Sequence, residues 1–342
     1  MHRLKHHPYN GLYTFSYNLG KSLSLLSSSE TELHFYMPKE KFGIFGNQVQ
    51  YAGHHSIDKF YKPGTSKFDI WHTTTTLSWY RPFNNKTKSI FTIHDLNFLI
   101  EEKENTDRNK RLLKLIQKRV DRAEYLIGIS EYALQVAEEH LQLGNKPRKV
   151  IYNGCNLPVT EDFDLPDYKP TKPFLFAVGL VAPRKNFHLL PALLKDNEYD
   201  LIIAGMQDEV YTQKIKAEIS KWGMESRVTL TGPITENDKY WYYKNCEAFL
   251  FPSYAEGFGL PIIEAMHFGK PVFTSAETCL TEIGGDAAYY FNSFDAEAMQ
   301  SRLAEGLHHY KETNPVDKIK QRASFFSWDK AAKECFDIYN LL

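Results

Sequence analysis

From Phe174 onward the sequence repeats one pattern: a short, continuous apolar run, a turn, then a stretch with helical spacing. The apolar runs are Phe174–Gly179, Asp200–Gly205, Val228–Gly232, Ala248–Ser253 and Val272–Ser275. Between them lie helical stretches at Phe187–Lys195, Glu209–Lys221, Glu236–Asn245 and Pro261–Phe268. Short apolar runs without alternation suit strands buried on both faces. Strands that alternate with helices are joined by crossovers, which forces a parallel sheet with helices on both sides. The second half therefore reads as a Rossmann-like α/β domain.

The first half carries a less regular version of the same pattern. Apolar runs occur at Leu33–Met37, Ile70–His72, Ser89–His94, Tyr125–Ile129 and Val150–Tyr152, with a helical stretch over Asp107–Arg122. A second Rossmann-like lobe is expected. The segment Pro158–Pro173, rich in Pro, Asp and Lys and without apolar period, has linker composition. A chain of 342 residues is too long for one ordinary core. The expected organisation is an N-terminal domain over residues 1–160, a C-terminal domain over 161–326, and a last helix over 327–342 that packs back on the first domain.

Composition narrows the function classes. With 42% apolar and 24% charged residues the chain is an ordinary folded protein, and a net charge of -1 gives no field to attract nucleic acid. Cys155, Cys246, Cys279 and Cys335 form no C-x-x-C pair, which argues against a zinc site and a disulfide framework and for a reducing compartment. The longest apolar run, Pro173–Pro183, falls far below the ~20 residues of a spanning helix. The segment from Met1 to Pro8 has positive charge but no apolar stretch after it, so a cytoplasmic location is expected.

The chemistry concentrates in two loops. After the run Ala248–Ser253, a glycine loop, Glu256 to Gly259, leads into a short helix with Pro261 at its first position and Gly269 past its end. A helix N-terminus reached through glycines offers unpaired N–H groups and a positive dipole end, which suits phosphate. Glu256 and Glu264 flank the loop, and a carboxylate can accept two sugar hydroxyls. Residues alone leave a plainer reading level with this one, in which Glu264 complements the dipole and Glu256 is solvated. The second loop carries Arg184, Lys185 and Asn186. A guanidinium and an ammonium there could hold both phosphates of a departing diphosphate, although adjacent Arg and Lys more often mark a solvated turn. No G-x-G-x-x-G follows a strand and no Walker loop occurs, which argues against dinucleotide and P-loop enzymes.

Other features have plain structural readings. His94 and Asp95 end a strand, where Asp commonly caps a turn. His72 ends another strand and either lines an acceptor site or does not. Asn153–Gly154 reads as a turn, Ser130 as a helix N-cap and Tyr240–Tyr243 as helix packing. His2, His6 and His7 lack the spacing of a metal site. The stretch Lys103–Arg122, with eight basic residues, reads as a solvated face or as one that meets anionic lipid.

Taken together and in order, FPSYAEGFGLPIIEAMHFGKPV, VGLVAPRKN, NGLYTFSYNLGKSL, TIHDLNFL, IGISEYA and IYNGCN resemble family 4 of the retaining glycosyltransferases, over nearly the whole chain. The resemblance implies the GT-B fold: two Rossmann-like domains that face a central cleft. It implies that Glu264 binds ribose hydroxyls and Glu256 faces the transferred sugar. Amides at Phe258, Gly259 and Leu260 would contact sugar and phosphate, Arg184 and Lys185 the diphosphate. His94 would approach the donor sugar from the first lobe, whose glycine loop falls at Gly11. Family members open with a strand before that loop; here no apolar run precedes Gly11.

The activity so implied is metal-independent transfer of a hexose from a nucleotide diphosphate sugar to a glycan or lipid-linked glycan, with retention. No cofactor beyond the donor is needed, and peripheral contact with the inner membrane face is compatible. TIHDLNFL is most similar to mannosyltransferase-like members, which leans towards GDP-mannose. The alternatives are a sugar-nucleotide epimerase or hydrolase on the same fold and a non-catalytic nucleotide-sugar-binding protein.

Overall fold

A computed structural model describes residues 1–5, 11–28, 30–61, 64–101, 106–155 and 162–342. The chain divides into two compact units, Met1–Asn156 with Phe326–Leu342, and Leu157–Phe325. The boundary expected at 160/161 lies outside the described residues. The chain returns to the first unit at Phe326, whose carbonyl accepts from Cys155 N at 3.2 Å and whose ring meets Tyr152 edge-on.

The N-terminal unit contains α1 (Gly11–Ser24), β1 (His34–Met37), β2 (Gln50–Gly53), β3 (Ile70–Thr73), β4 (Lys88–Ile93), α2 (Phe98–Glu101), α3 (Thr106–Arg122), β5 (Tyr125–Gly128), α4 (Glu131–His140) and β6 (Arg148–Val150). Its strands pair in parallel, but as two sheets: β1 with β2, and β3 to β6 in sequence order. A cavity of about 740 Å³ is lined by His34, Phe35 and Tyr36 of β1 and by all of β3, two strands that do not hydrogen-bond to each other. Beneath the larger sheet, Phe91 and Ile93 of β4 pack with Ile116 and Val120 of α3. Five basic residues of α3, Arg108, Lys110, Arg111, Lys114 and Lys118, are exposed. Arg119 turns inward, its guanidinium donating to the Ser78 and Trp79 carbonyls at 3.1 Å each.

The C-terminal unit runs β7 (Phe174–Val178), β8 (Asp200–Ala204), α5 (Glu209–Trp222), β9 (Val228–Gly232), α6 (Glu236–Asn245), β10 (Ala248–Phe251), α7 (Leu260–His267), β11 (Val272–Ser275), α8 (Leu280–Gly284), β12 (Tyr289–Phe291), α9 (Ala296–Thr313) and α10 (Val316–Ser324). Phe187–Leu194 forms a 3-10 helix in place of an α-helix. Pro191 inside it has no N–H for an α-helical bond. The six strands form one parallel sheet in the order β12-β11-β10-β7-β8-β9. Every residue of β7, β8, β10 and β11 is buried, as expected of strands covered on both faces.

Strand order decides where a ligand can sit. The chain lays β8 and β9 to one side of β7, then returns to lay β10, β11 and β12 on the other. The connections that leave the carboxyl ends of β7 and β10 thus lead to strands on opposite sides, which makes this the switch point of the doubly wound sheet, where ligands of such sheets commonly bind.

The last helix, α11 (Trp328–Leu341), completes the N-terminal unit against α1. Asp329 accepts from Ser22 Oγ at 2.7 Å, and the fully buried Trp328 meets Phe15 edge-on. Gly154 lets the chain pass beneath this helix, since a Cβ there would lie 2.0 Å from Trp328 N. That close approach, and not a turn, is what the residue supplies.

Candidate active site

Both loops singled out in the sequence leave the sheet at its switch point. After β7 the chain passes through Gly179, at φ +148°, into the turn Pro183–Lys185. After β10 it runs through Ser253 to Glu256. The two loops are laced together, with Tyr254 N donating to the Arg184 carbonyl at 2.9 Å. Gly205, at the end of β8, is forced by its surroundings: a Cβ would fall 1.9 Å from the Gly179 carbonyl oxygen.

Glu256 lies at the centre of this arrangement. Its Oε1 receives Lys185 Nζ at 2.5 Å, Arg184 Nη1 at 3.0 Å and Ser253 Oγ at 2.6 Å. Burial pushes the carboxyl's pKa upward, but Lys185 and Arg184 outweigh it and hold the group below the ordinary carboxylate range. Lys185 is itself buried, with Nζ 4.3 Å from the centre of the Phe251 ring. The cluster carries two positive charges against one negative. The plain readings of a solvated turn and a solvated loop residue therefore do not describe Lys185 or Glu256. Sequence reasoning passed over Ser253; its place three residues before Glu256, just past the strand, was the signal for it.

The glycine loop ends at Gly259, whose φ of +98° only glycine adopts readily, and which caps α7. Pro261 is the second residue of α7, not the first. Phe258 is buried, whereas Leu260 is half-buried at the helix start. Glu264 lies one turn along α7. Its Oε1 receives Lys239 Nζ at 3.0 Å and its Oε2 receives the Tyr243 hydroxyl at 2.9 Å. Neither α6 residue was singled out for chemistry. Their i, i+4 spacing places them on one helix face, although it does not say what that face meets.

In the N-terminal unit, His94 directly follows β4 and is buried. Its Nε2 lies 2.8 Å from the Thr74 carbonyl, which fixes the proton on that nitrogen. Burial lowers its pKa to about 4, more than the Thr74 contact restores, so the ring is neutral at pH 7. His72 lines the cavity beside β3, and its ring nitrogens are both engaged: Nδ1 meets the Tyr339 hydroxyl and Nε2 the Thr92 hydroxyl, each at 2.7 Å. Gly11 is the first residue of α1, exposed, with nothing within 4 Å of a Cβ built there. Ser130 caps α4 by accepting from Ala133 N at 3.1 Å. Tyr242 and Tyr243 are buried against Phe176, as helix packing requires. His6 and His7 lie outside the described residues. Among the described residues no group of three or more His, Cys, Asp or Glu could hold a metal ion, and no helix is long and apolar enough to cross a membrane.

A cationic pair and a glycine-capped helix at the switch point of a doubly wound unit are features that suit an anionic ligand. Comparison with known proteins supplies the family. Residues 160–323 match the family of glycosyl transferases group 1. The chain is 27% identical over 282 residues to O-antigen chain mannosyltransferase B of Escherichia coli, a match that covers 75% of this chain and 71% of that one. It is 28% identical over 272 residues to the serotype-specific mannosyltransferase WbdA of Escherichia coli, covering 72% of this chain and 32% of the relative; the matched part is thus about a third of that protein. Sucrose-phosphate synthase of Thermosynechococcus elongatus has the same fold, with a TM-score of 0.77 at 19% identity over 97% of this chain and 93% of that one. The fold is GT-B, residues 160–323 are a domain of the glycosyl transferases group 1 family, and the chain is a glycosyltransferase.

Proposed function

We propose that this enzyme transfers a hexose, with mannose from GDP-mannose favoured, from a nucleotide diphosphate sugar to a glycan or lipid-linked glycan, with retention of anomeric configuration and without a metal ion. The observation that carries the reading is Glu256, buried between Arg184 and Lys185 at the switch point. The excess positive charge of that cluster, with the N-terminus of α7, matches a diphosphate whose charge grows as the sugar leaves. In this reading Arg184 and Lys185 hold the diphosphate, and Glu264 receives the ribose hydroxyls. Glu256 faces the transferred sugar, with the amides of Phe258, Gly259 and Leu260 beside it. For Gly11 and His94, both in the N-terminal unit, the family resemblance is what supports a role towards the donor. The neutral His94, its Nε2–H committed to Thr74, presents Nδ1 as an acceptor for a sugar hydroxyl. Similarity to two mannosyltransferases supports mannose.

Retention follows from attack on the face that the leaving group departs. The bond from the anomeric carbon to the phosphate oxygen breaks as the acceptor oxygen bonds to that carbon. The leaving phosphate oxygen takes the acceptor's proton, and the nucleoside diphosphate departs. The test is to follow GDP-mannose by NMR with and without tagged mannose oligosaccharides. The reading expects GDP release that depends on acceptor and a product of unchanged anomeric configuration. Mannose release at the same rate without acceptor would make the protein a hydrolase, an isomerised sugar nucleotide an epimerase, and binding without turnover a non-catalytic protein.

A further inference from the structure

Glu264 is the one carboxylate of the proposed donor site whose neighbours come from a helix outside both loops. We propose that Lys239 and Tyr243 of α6 are positioning residues that hold and neutralise Glu264 so that it presents one acceptor site on each oxygen to the two vicinal hydroxyls of the donor ribose. The proposal rests on the reading of Glu264 as the ribose carboxylate.

Stoichiometry supports it. Each carboxylate oxygen accepts at two lone-pair positions. Lys239 occupies one on Oε1 and Tyr243 one on Oε2. One position on each oxygen then matches a cis diol, and the two anchors together fix the plane of the carboxylate. The anchors are themselves held. Tyr243 is fully buried, its ring packed against Phe176 of β7, Phe249 of β10 and Phe268, so its hydroxyl is tied to the two strands that flank the switch point. Lys239 also pairs with Glu236 at 2.9 Å. Burial disfavours its ammonium, but Glu264 and Glu236 outweigh that and keep it charged.

Charge gives the second reason. A diphosphate brings negative charge into the same site, and a lone carboxylate nearby would repel it. Lys239 and Glu264 are each only 13% exposed, whereas the second carboxylate on Lys239, Glu236, is 61% exposed and screened by solvent, so within the site Lys239 offsets the charge that Glu264 would set against the phosphates. The site can then use a carboxylate for the diol without setting it against the phosphates.

The test is a titration of GDP, UDP and the 2′-deoxy counterpart of each into the unaltered protein and into Tyr243→Phe, Lys239→Met, Lys239→Arg and Glu264→Gln, with a melting temperature for every variant. The tighter-binding ribonucleotide should be preferred over its deoxy form by about tenfold or more, the value of a hydrogen bond to a charged group. Tyr243→Phe and Lys239→Met should reduce that preference to about threefold or less by weakening only the ribonucleotide, and Lys239→Arg should restore it. Tyr243→Phe keeps the ring packing, so it reports even where Lys239→Met does not fold. A wild-type preference in both Tyr243→Phe and Lys239→Met overturns the positioning role alone. An unchanged preference in Glu264→Gln, or no binding of either nucleotide, overturns the ribose reading beneath it.

Discussion

Lys185 Nζ lies 2.5 Å from Glu256 Oε1, and both side chains are buried where the loops after β7 and β10 meet. A pair removed from water this far is a coupled unit. Taking away one partner leaves a charge with incomplete compensation.

Lys185→Ala should therefore cost about 3 kcal/mol of unfolding free energy, the low end for a broken buried pair because Arg184 and Ser253 still reach Glu256. The double variant Lys185→Met with Glu256→Gln should cost less than Lys185→Ala alone. Urea denaturation of the single and double variants measures the coupling. Additive losses would mean that the pair is not coupled.

The acid limb of stability should report Glu256. Its folded pKa is held below the ordinary value of 4.5, so its contribution is present above about pH 5 and is lost as pH falls through the folded pKa. Glu256→Gln should flatten the fall in stability below about pH 5, read from denaturant midpoints. An acid limb unchanged by the substitution would refute the assignment.

Two histidines largely withdrawn from water, the buried His94 and the half-buried His72, act in a neighbouring window. Burial lowers His94 to about 4 and His72 to about 3, against 6.5 in an exposed chain. Below about pH 6.5 the unfolded chain binds protons that the folded one does not, so stability falls as pH falls from there to about 4. Each histidine contributes a slope of about 1.4 kcal/mol per pH unit within that window. Equal unfolding free energies at pH 7 and pH 5 would contradict the burial of these rings.

Gly205 is fixed by contact, and Gly223 only by its backbone. Gly205→Ala places a Cβ 1.9 Å from the Gly179 oxygen and should cost about 3 kcal/mol, and it should weaken nucleotide binding because the loop to Arg184 must shift. Gly223→Ala meets nothing within 4 Å and bears only the strain of φ +66°, so it should cost about 1 kcal/mol and leave nucleotide affinity unchanged. Melting curves with and without nucleotide separate the two effects.

The strands β7, β8, β10 and β11 of the C-terminal unit were legible because they are buried on both faces and appear as apolar runs. The edge strand β12 was missed although it lies in the apolar run at 287–291: it is three residues long and its middle residue is only half-buried. In the N-terminal unit β6 was read two residues late, at Val150–Tyr152, for a related reason. Two of its three residues, Arg148 and Lys149, are exposed and charged, and the apolar residues that follow at 150–152 lie at or past its end. β2 begins on an exposed Gln50 and contains no fully buried residue. Glu256, Arg184 and Lys185 could be chosen from sequence because each lies in the loop that leaves the carboxyl end of an apolar strand. Lys239 and Tyr243 could not, because their role depends on how α6 lies against α7, which no local spacing encodes.

The proposed donor site requires that the Arg184–Glu256–Lys185 cluster hold a nucleoside diphosphate. Thermal-shift titration with GDP, UDP and ADP tests it most directly, on the unaltered protein and on Lys185→Ala. At about 100 times Kd a ligand that binds only the folded state contributes about 2.7 kcal/mol, a plain rise in melting temperature. The unaltered protein should show that rise with one of the three, and Lys185→Ala should lose it at the same concentration. No rise with any nucleotide, or an undiminished rise in Lys185→Ala, would contradict the claim.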